Sequence, residues 1–146
     1  MDADKVWVYR ENWISLFPDA PVEWMTCDSK TFTSTEKFDF VFIDGDHNYH
    51  GVVADIENTV PLLHKTSILC VDDWQFPGVN RAIRDTILGK TVLVPFLANY
   101  QQTYFTNRNN NINDFRYGFL PDNDPAFMKY WQEEELGRGI TRAKLD

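Results

Sequence analysis

The chain has 146 residues, about one domain's worth, of which 43% are hydrophobic and 25% charged, so a core can be buried without disulfide or metal staples. No apolar stretch reaches the ~18–20 residues of a bilayer span, and the start, Met1 to Lys5, lacks the basic-then-apolar order of a secretory signal. With 14 basic against 22 acidic residues the net charge is −8, which repels phosphate backbones, sets nucleic acid aside and suits cationic ligands or divalent metals.

Val6, Tyr9, Trp13, Leu16 and Phe17 recur at helical spacing and predict a helix over Val6–Phe17, although Val6 to Tyr9 alone also suits a short strand. Pro18 to Pro21 break the chain, and Val22–Cys27 reads as a strand ending at Asp28 and Ser29. Phe38–Ile43 is a nearly continuous apolar run, the pattern of a strand covered on both faces; it stops at Asp44-Gly45-Asp46-His47. Val52, Val53, Ile56, Val60 and Leu63 follow at helical spacing. Ser67–Val71 reads as a second buried strand, ending at Asp72 and Asp73. Pro77 and Gly78 open another helix with Val79, Ala82, Ile83, Ile87 and Leu88 on its inner side.

Thr91–Leu97 and Gln102–Thr106 read as an antiparallel pair. Five asparagines between Asn107 and Asn113 suit an exposed loop, residues 126–136 suit a last helix, and Arg138, Arg142 and Lys144 mark a basic tail. The two cysteines, Cys27 and Cys70, each lie in an apolar run and read as buried thiols of a reducing, cytoplasmic setting. Alternating strands and helices predict a single α/β domain over residues 1–146, with a parallel part over 1–90 and the hairpin, loop and final helix over 91–146.

Three predicted strands end in acids. Each acid alone is an ordinary turn former or helix N-cap. In a parallel α/β sheet, however, ligands bind beyond the carboxyl ends of the strands. Grouping Asp44, Asp72 and Asp73 there imposes like-charge repulsion, which a divalent ion such as Mg²⁺ relieves through oxygen ligands. His47, three positions beyond Asp44, is placed to act as a general base near neutral pH. His50 and His64 read as plain helix positions, and Asp55 and Glu57 as solvated helix charges. Grouped carboxylates also permit metal-assisted hydrolysis, but no nucleophile-positioning motif accompanies them.

The run from Phe38 through Asp44-Gly45-Asp46-His47-Asn48-Tyr49, then Asp55 and Pro61-Leu62-Leu63, then Leu69-Cys70-Val71-Asp72-Asp73-Trp74 and Pro77-Gly78-Val79, resembles the class I S-adenosylmethionine-dependent methyltransferases. The likeness is to their fourth and fifth strands and the helices that follow. Asp-Gly-Asp-His with the later Asp-Asp is most similar to the metal-dependent small-molecule O-methyltransferases.

The resemblance implies a Rossmann-like, mostly parallel sheet with a C-terminal antiparallel hairpin. It implies S-adenosylmethionine as cofactor, Mg²⁺ as a divalent partner and a small-molecule hydroxyl as acceptor. Asp44, Asp72 and Asp73 match metal positions, and His47 with Asp44 matches the catalytic ones. Asp28 and Ser29 match positions near the adenine, Asp2 an acid that binds the ribose hydroxyls, and Asp44 also borders the cofactor. The family's first strand and glycine-rich loop belong before Asp2, which implies an N-terminally truncated sheet and an open edge on the Phe38–Ile43 strand. Such an edge invites pairing with a second copy or a complementing chain. A non-catalytic assembly module is therefore the alternative to a methyltransferase.

Overall fold

A computed structural model describes residues 3–110 and 112–119 of the chain. The first element is helix α1, Ala3–Leu16, close to the range predicted from its periodicity. It stops where Pro18 follows, because a proline disfavours helical geometry in the residue before it and cannot donate a backbone hydrogen bond. Among its described side chains, Tyr9, Trp13 and Leu16 are all exposed, and the Trp13 ring lies 4.9 Å from that of Phe17.

The predicted strand over Val22–Cys27 does not form. The segment has no ladder partner, and Val22, Trp24 and Met25 lie exposed. A β-prone sequence becomes a strand only when another strand satisfies its backbone, and none lies beside this one among the described residues. Cys27 is accordingly exposed rather than buried, whereas Cys70 is buried as expected.

Strand β1, Phe38–Ile43, then enters the sheet. Helix α2, Tyr49–Thr59, starts at Asn48, whose side chain accepts a hydrogen bond from the Gly51 backbone N–H. A short 3₁₀ turn containing Pro61 links it to strand β2, Leu63–Val71, which begins four residues earlier than the sequence suggested. Helix α3, Pro77–Thr86, carries its proline in the first turn, where the missing N–H costs nothing. Strands β3, Leu93–Ala98, and β4, Thr103–Asn107, form the predicted antiparallel hairpin. The predicted helix over 126–136, the basic tail and Asp2 lie outside the described residues.

The sheet order is β1-β2-β4-β3, with β1 parallel to β2 and both other pairings antiparallel. Three of the four described strands, β1, β2 and β3, thus run in one direction, and β4 alone is reversed between β2 and β3. The β1–α2–β2 and β2–α3–β3 connections are long crossovers that keep these strands in one direction, and the short hairpin returns the chain in the opposite sense at β4. In register, Val41 lies beside Leu69 and Ile43 beside Val71, and Leu69 faces Phe105. This face packs on Val52 and Ile56 of α2 and on Val79 and Ile83 of α3.

Alternation along β1 sends Phe40 and Phe42 to the opposite face, where they are 55% and 48% exposed. Among the described residues β1 pairs only with β2, which leaves its other edge without a ladder partner there.

Candidate active site at the strand ends

The parallel β1–β2 pair brings two acidic turns together. The ladder extends past both strands through an Asp72 N–H to Ile43 carbonyl bond of 2.9 Å, so the residues after Ile43 and after Val71 sit side by side. Of these, the Asp44, His47 and Asp73 side chains converge, with one donor atom from each lying within 4.8 Å of the others. His47 Nε2 is 2.9 Å from Asp73 Oδ2. Asp73 reaches this position with φ at 52°, in the left-handed region that, glycine aside, Asn and Asp enter most readily.

The His47 ring has a second partner. Phe76 stacks on it with centroids 5.0 Å apart and planes 17° from parallel. Gly78, in the first turn of α3, backs the same loop: a Cβ there would lie 2.5 Å from the His47 carbonyl oxygen. Only glycine permits that approach. Two residues on, the Tyr49 hydroxyl donates to Asp85 at 3.0 Å, and the Arg81 guanidinium lies 4.9 Å from the Tyr49 ring centroid. The bond to Asp85 raises the Tyr49 pKa above its usual value, keeping the phenol protonated.

Asp72 turns elsewhere. Its Oδ1 accepts a 2.6 Å hydrogen bond from the Gln102 side chain, at the tip of the β3–β4 hairpin. Asn99 shapes that tip by accepting from the Gln101 and Gln102 backbone N–H groups, and its carbonyl accepts from the Trp74 indole. The expected trio of Asp44, Asp72 and Asp73 is therefore not the trio that the structure gathers; His47 takes the third place. Asp46 also turns away, accepting from the Asn48 backbone N–H at the start of α2.

A trough of about 550 Å³ runs along the open edge of β1 and ends at Asp44 and Gly45, a volume within the ~300–1,000 Å³ typical of ligand sites. Phe32, Phe38, Phe40 and Met25 give it apolar walls, and Ser29, Asp44 and Asp55 give it polar ends. Asp28 caps a short turn over Ser29–Thr31 by accepting from the Lys30 backbone N–H. Ser29 donates to Asp55 at 2.5 Å, and Asn58 donates to the Phe32 carbonyl, so α2 holds this segment across from β1.

The sequence reading missed Asp55 as a site residue. Its signal was positional, since it lies on the helix that directly follows the acidic turn. Gly45 leaves room for it: a Cβ at 45 would come within 3.0 Å of the Asp55 carboxylate.

Residues 7–74 match the family model of a methyltransferase domain. The matched stretch runs from α1 to Trp74 and holds Asp28, Ser29, Asp44, His47, Asp72 and Asp73, while α3 and the hairpin lie beyond it. No curated protein and no solved structure matches the chain. About half of the chain, including the acidic strand ends, is thus similar to a methyltransferase domain, and that similarity supports methyl transfer as its chemistry.

Proposed function

We propose that the chain transfers a methyl group from S-adenosylmethionine to a hydroxyl of a small molecule, at the acidic end of the β1 trough. The observation that carries this reading is the convergence of Asp44, His47 and Asp73 where an apolar trough of cofactor size ends. The residues present suit the cofactor. Aromatic walls match an adenine ring, and Ser29 and Asp55 offer hydroxyl and carboxylate partners for ribose hydroxyls. Asp44 places a negative charge where a cationic sulfonium or ammonium group is drawn. Asp28 caps the short turn that carries Ser29.

S-adenosylmethionine supplies an electrophilic methyl group; the chain's own residues position the acceptor and prepare its hydroxyl. Two routes end at that oxygen. His47, oriented by Asp73 and Phe76, takes the proton, or the Asp44–His47–Asp73 group holds a cation beside the oxygen and lowers its pKa. Either route needs His47.

The test is a labelled-methyl transfer assay over a panel of catechol and sugar acceptors. His47→Ala should lower turnover by about 10²–10⁴-fold and change the affinity for S-adenosylmethionine by less than about threefold. Equal losses in both would remove His47 from the chemical step, and no transfer to any acceptor would count against catalysis.

A second reading rests on the open edge of β1 with exposed Phe40 and Phe42. Unpaired apolar edges favour strand addition, which supports assembly with a second copy or a complementing strand. Sedimentation of the purified chain separates the two: a monomer at all concentrations excludes edge pairing between copies.

A further inference from the structure

The two walls of the trough are held in different ways. One is β1, with Phe38 and Phe40, and the ladder to β2 fixes it. The other includes Ser29 and Phe32 from the short turn over residues 28–32. The backbone bonds of that turn close within it: the Thr31 N–H donates to the Asp28 carbonyl at 2.9 Å and the Phe32 N–H to the Ser29 carbonyl at 3.3 Å. A single turn is marginal by itself, so its place across from β1 depends on what ties it to α2.

We infer that Asn58 is a positioning residue of the cofactor trough: its amide clasps the turn to α2 and so fixes the wall against which an aromatic ring of the ligand lies. The amide nitrogen donates to two carbonyls at once, Ser29 at 2.5 Å and Phe32 at 2.9 Å. These acceptors are three residues apart, and at three residues per revolution they fall on one side of a 3₁₀ turn. One nitrogen with two hydrogens serves both, which among uncharged side chains only Asn and Gln offer. Phe32 is the C-cap of the turn, and carbonyls at such an end have no partner within the helix.

A second tie stands on the same face of α2. Asp55, three residues before Asn58, accepts from the Ser29 hydroxyl at 2.5 Å, a length expected for a hydroxyl bonded to a carboxylate. The two ties differ in role. Asp55 presents a carboxylate to the trough as well as to the turn. Asn58 has both N–H groups engaged on the turn, so what it contributes is placement. Phe32 is the aromatic group that the turn brings to the trough; with the turn released, a flat ring would keep the β1 wall and lose the other.

The inference rests on reading the trough as a site for S-adenosylmethionine, but the clasp is measurable with no ligand present. Two variants are compared with the parent. Asn58→Asp is nearly isosteric and sets acceptors against the two carbonyls, whereas Asn58→Ala removes the donors without adding charge. Hydrogen exchange of the Thr31 and Phe32 amides in the ligand-free chain should accelerate at least about fivefold in both variants and stay within about twofold over β1 and β2. Adenosine, a neutral probe that carries the ring without the sulfonium, and S-adenosylmethionine are then titrated calorimetrically. Both variants should bind each probe at least about tenfold more weakly, as loss of two ordinary hydrogen bonds gives. Urea midpoints should fall only slightly, because Ser29 is exposed and its freed carbonyl turns to water.

Unchanged exchange in both variants overturns the clasp. Faster exchange with adenosine affinity like the parent's overturns the positioning role. Weakening by Asn58→Asp alone, with Asn58→Ala like the parent, assigns the effect to charge and overturns it too. A parent that binds adenosine but not S-adenosylmethionine overturns the methyl-transfer reading alone, and a parent that binds neither overturns both.

Discussion

The two cysteines illustrate how environment divides identical side chains. Cys70 lies in the middle of the sheet beside β4, and burial pushes its thiol up to about 11, a hydrogen bond with Tyr104 opposing part of the rise. Cys27 lies exposed at the trough. At pH 8 a thiol-specific reagent should modify Cys27 rapidly and Cys70 only after unfolding, as mass spectrometry of timed samples will show. Protonation of Cys70 is linked to folding with a definite sign. Its folded pKa lies above the ordinary thiol value near 9.0, so its share of stability is complete below pH 9 and declines as pH rises towards 11. Urea midpoints should fall more between pH 8.5 and 10.5 for the parent than for Cys70→Ala; parallel declines would contradict the buried, protonated thiol.

At the scale of elements, the joint between α2 and α3 determines whether the His47 loop is held. Asn48 caps α2, and Asn48→Ala should cost about 1 kcal/mol of stability. Gly78→Ala should cost about 1–3 kcal/mol, because the added methyl would meet the His47 carbonyl at 2.5 Å. Chemical denaturation measures both, and a neutral Gly78→Ala would mean that the loop is not pressed against α3.

Much of this was legible in the sequence, for local reasons. The acids that end β1 and β2 directly follow apolar runs, and Pro77 marks the start of α3. The hairpin followed from two β-prone runs around Asn99. What stayed hidden was non-local. Val22–Cys27 has strand composition, but only a neighbouring strand could make it one. Asp72 and Asp73 are adjacent in sequence, and nothing local says that a left-handed turn sends Asp73 towards His47 while Gln102, thirty residues on, takes Asp72. Asp55 joins the trough only because Ser29 is drawn across to α2.

For the whole molecule, the described residues form a half-covered sheet. α2 and α3 protect one face, while β1 offers an open edge and two exposed phenylalanines beside the trough. The same trough that suits an aromatic cofactor therefore lies against an edge that suits another strand, and binding at one alters access to the other. The net charge of −8 opposes association of copies at low salt. Any self-association through this edge should strengthen as salt is raised, as sedimentation velocity across a salt series will show, and loss of association with salt would implicate charge pairing instead.

The central claim is that the acidic end of this trough receives S-adenosylmethionine. Isothermal titration of the chain with that cofactor tests it most directly, in the parent and in Asp44→Asn. The account predicts saturable heat at a single site with a dissociation constant in the micromolar range, about −8 kcal/mol, weakened at least about tenfold by Asp44→Asn. No heat from the parent, or equal binding by both proteins, would contradict it.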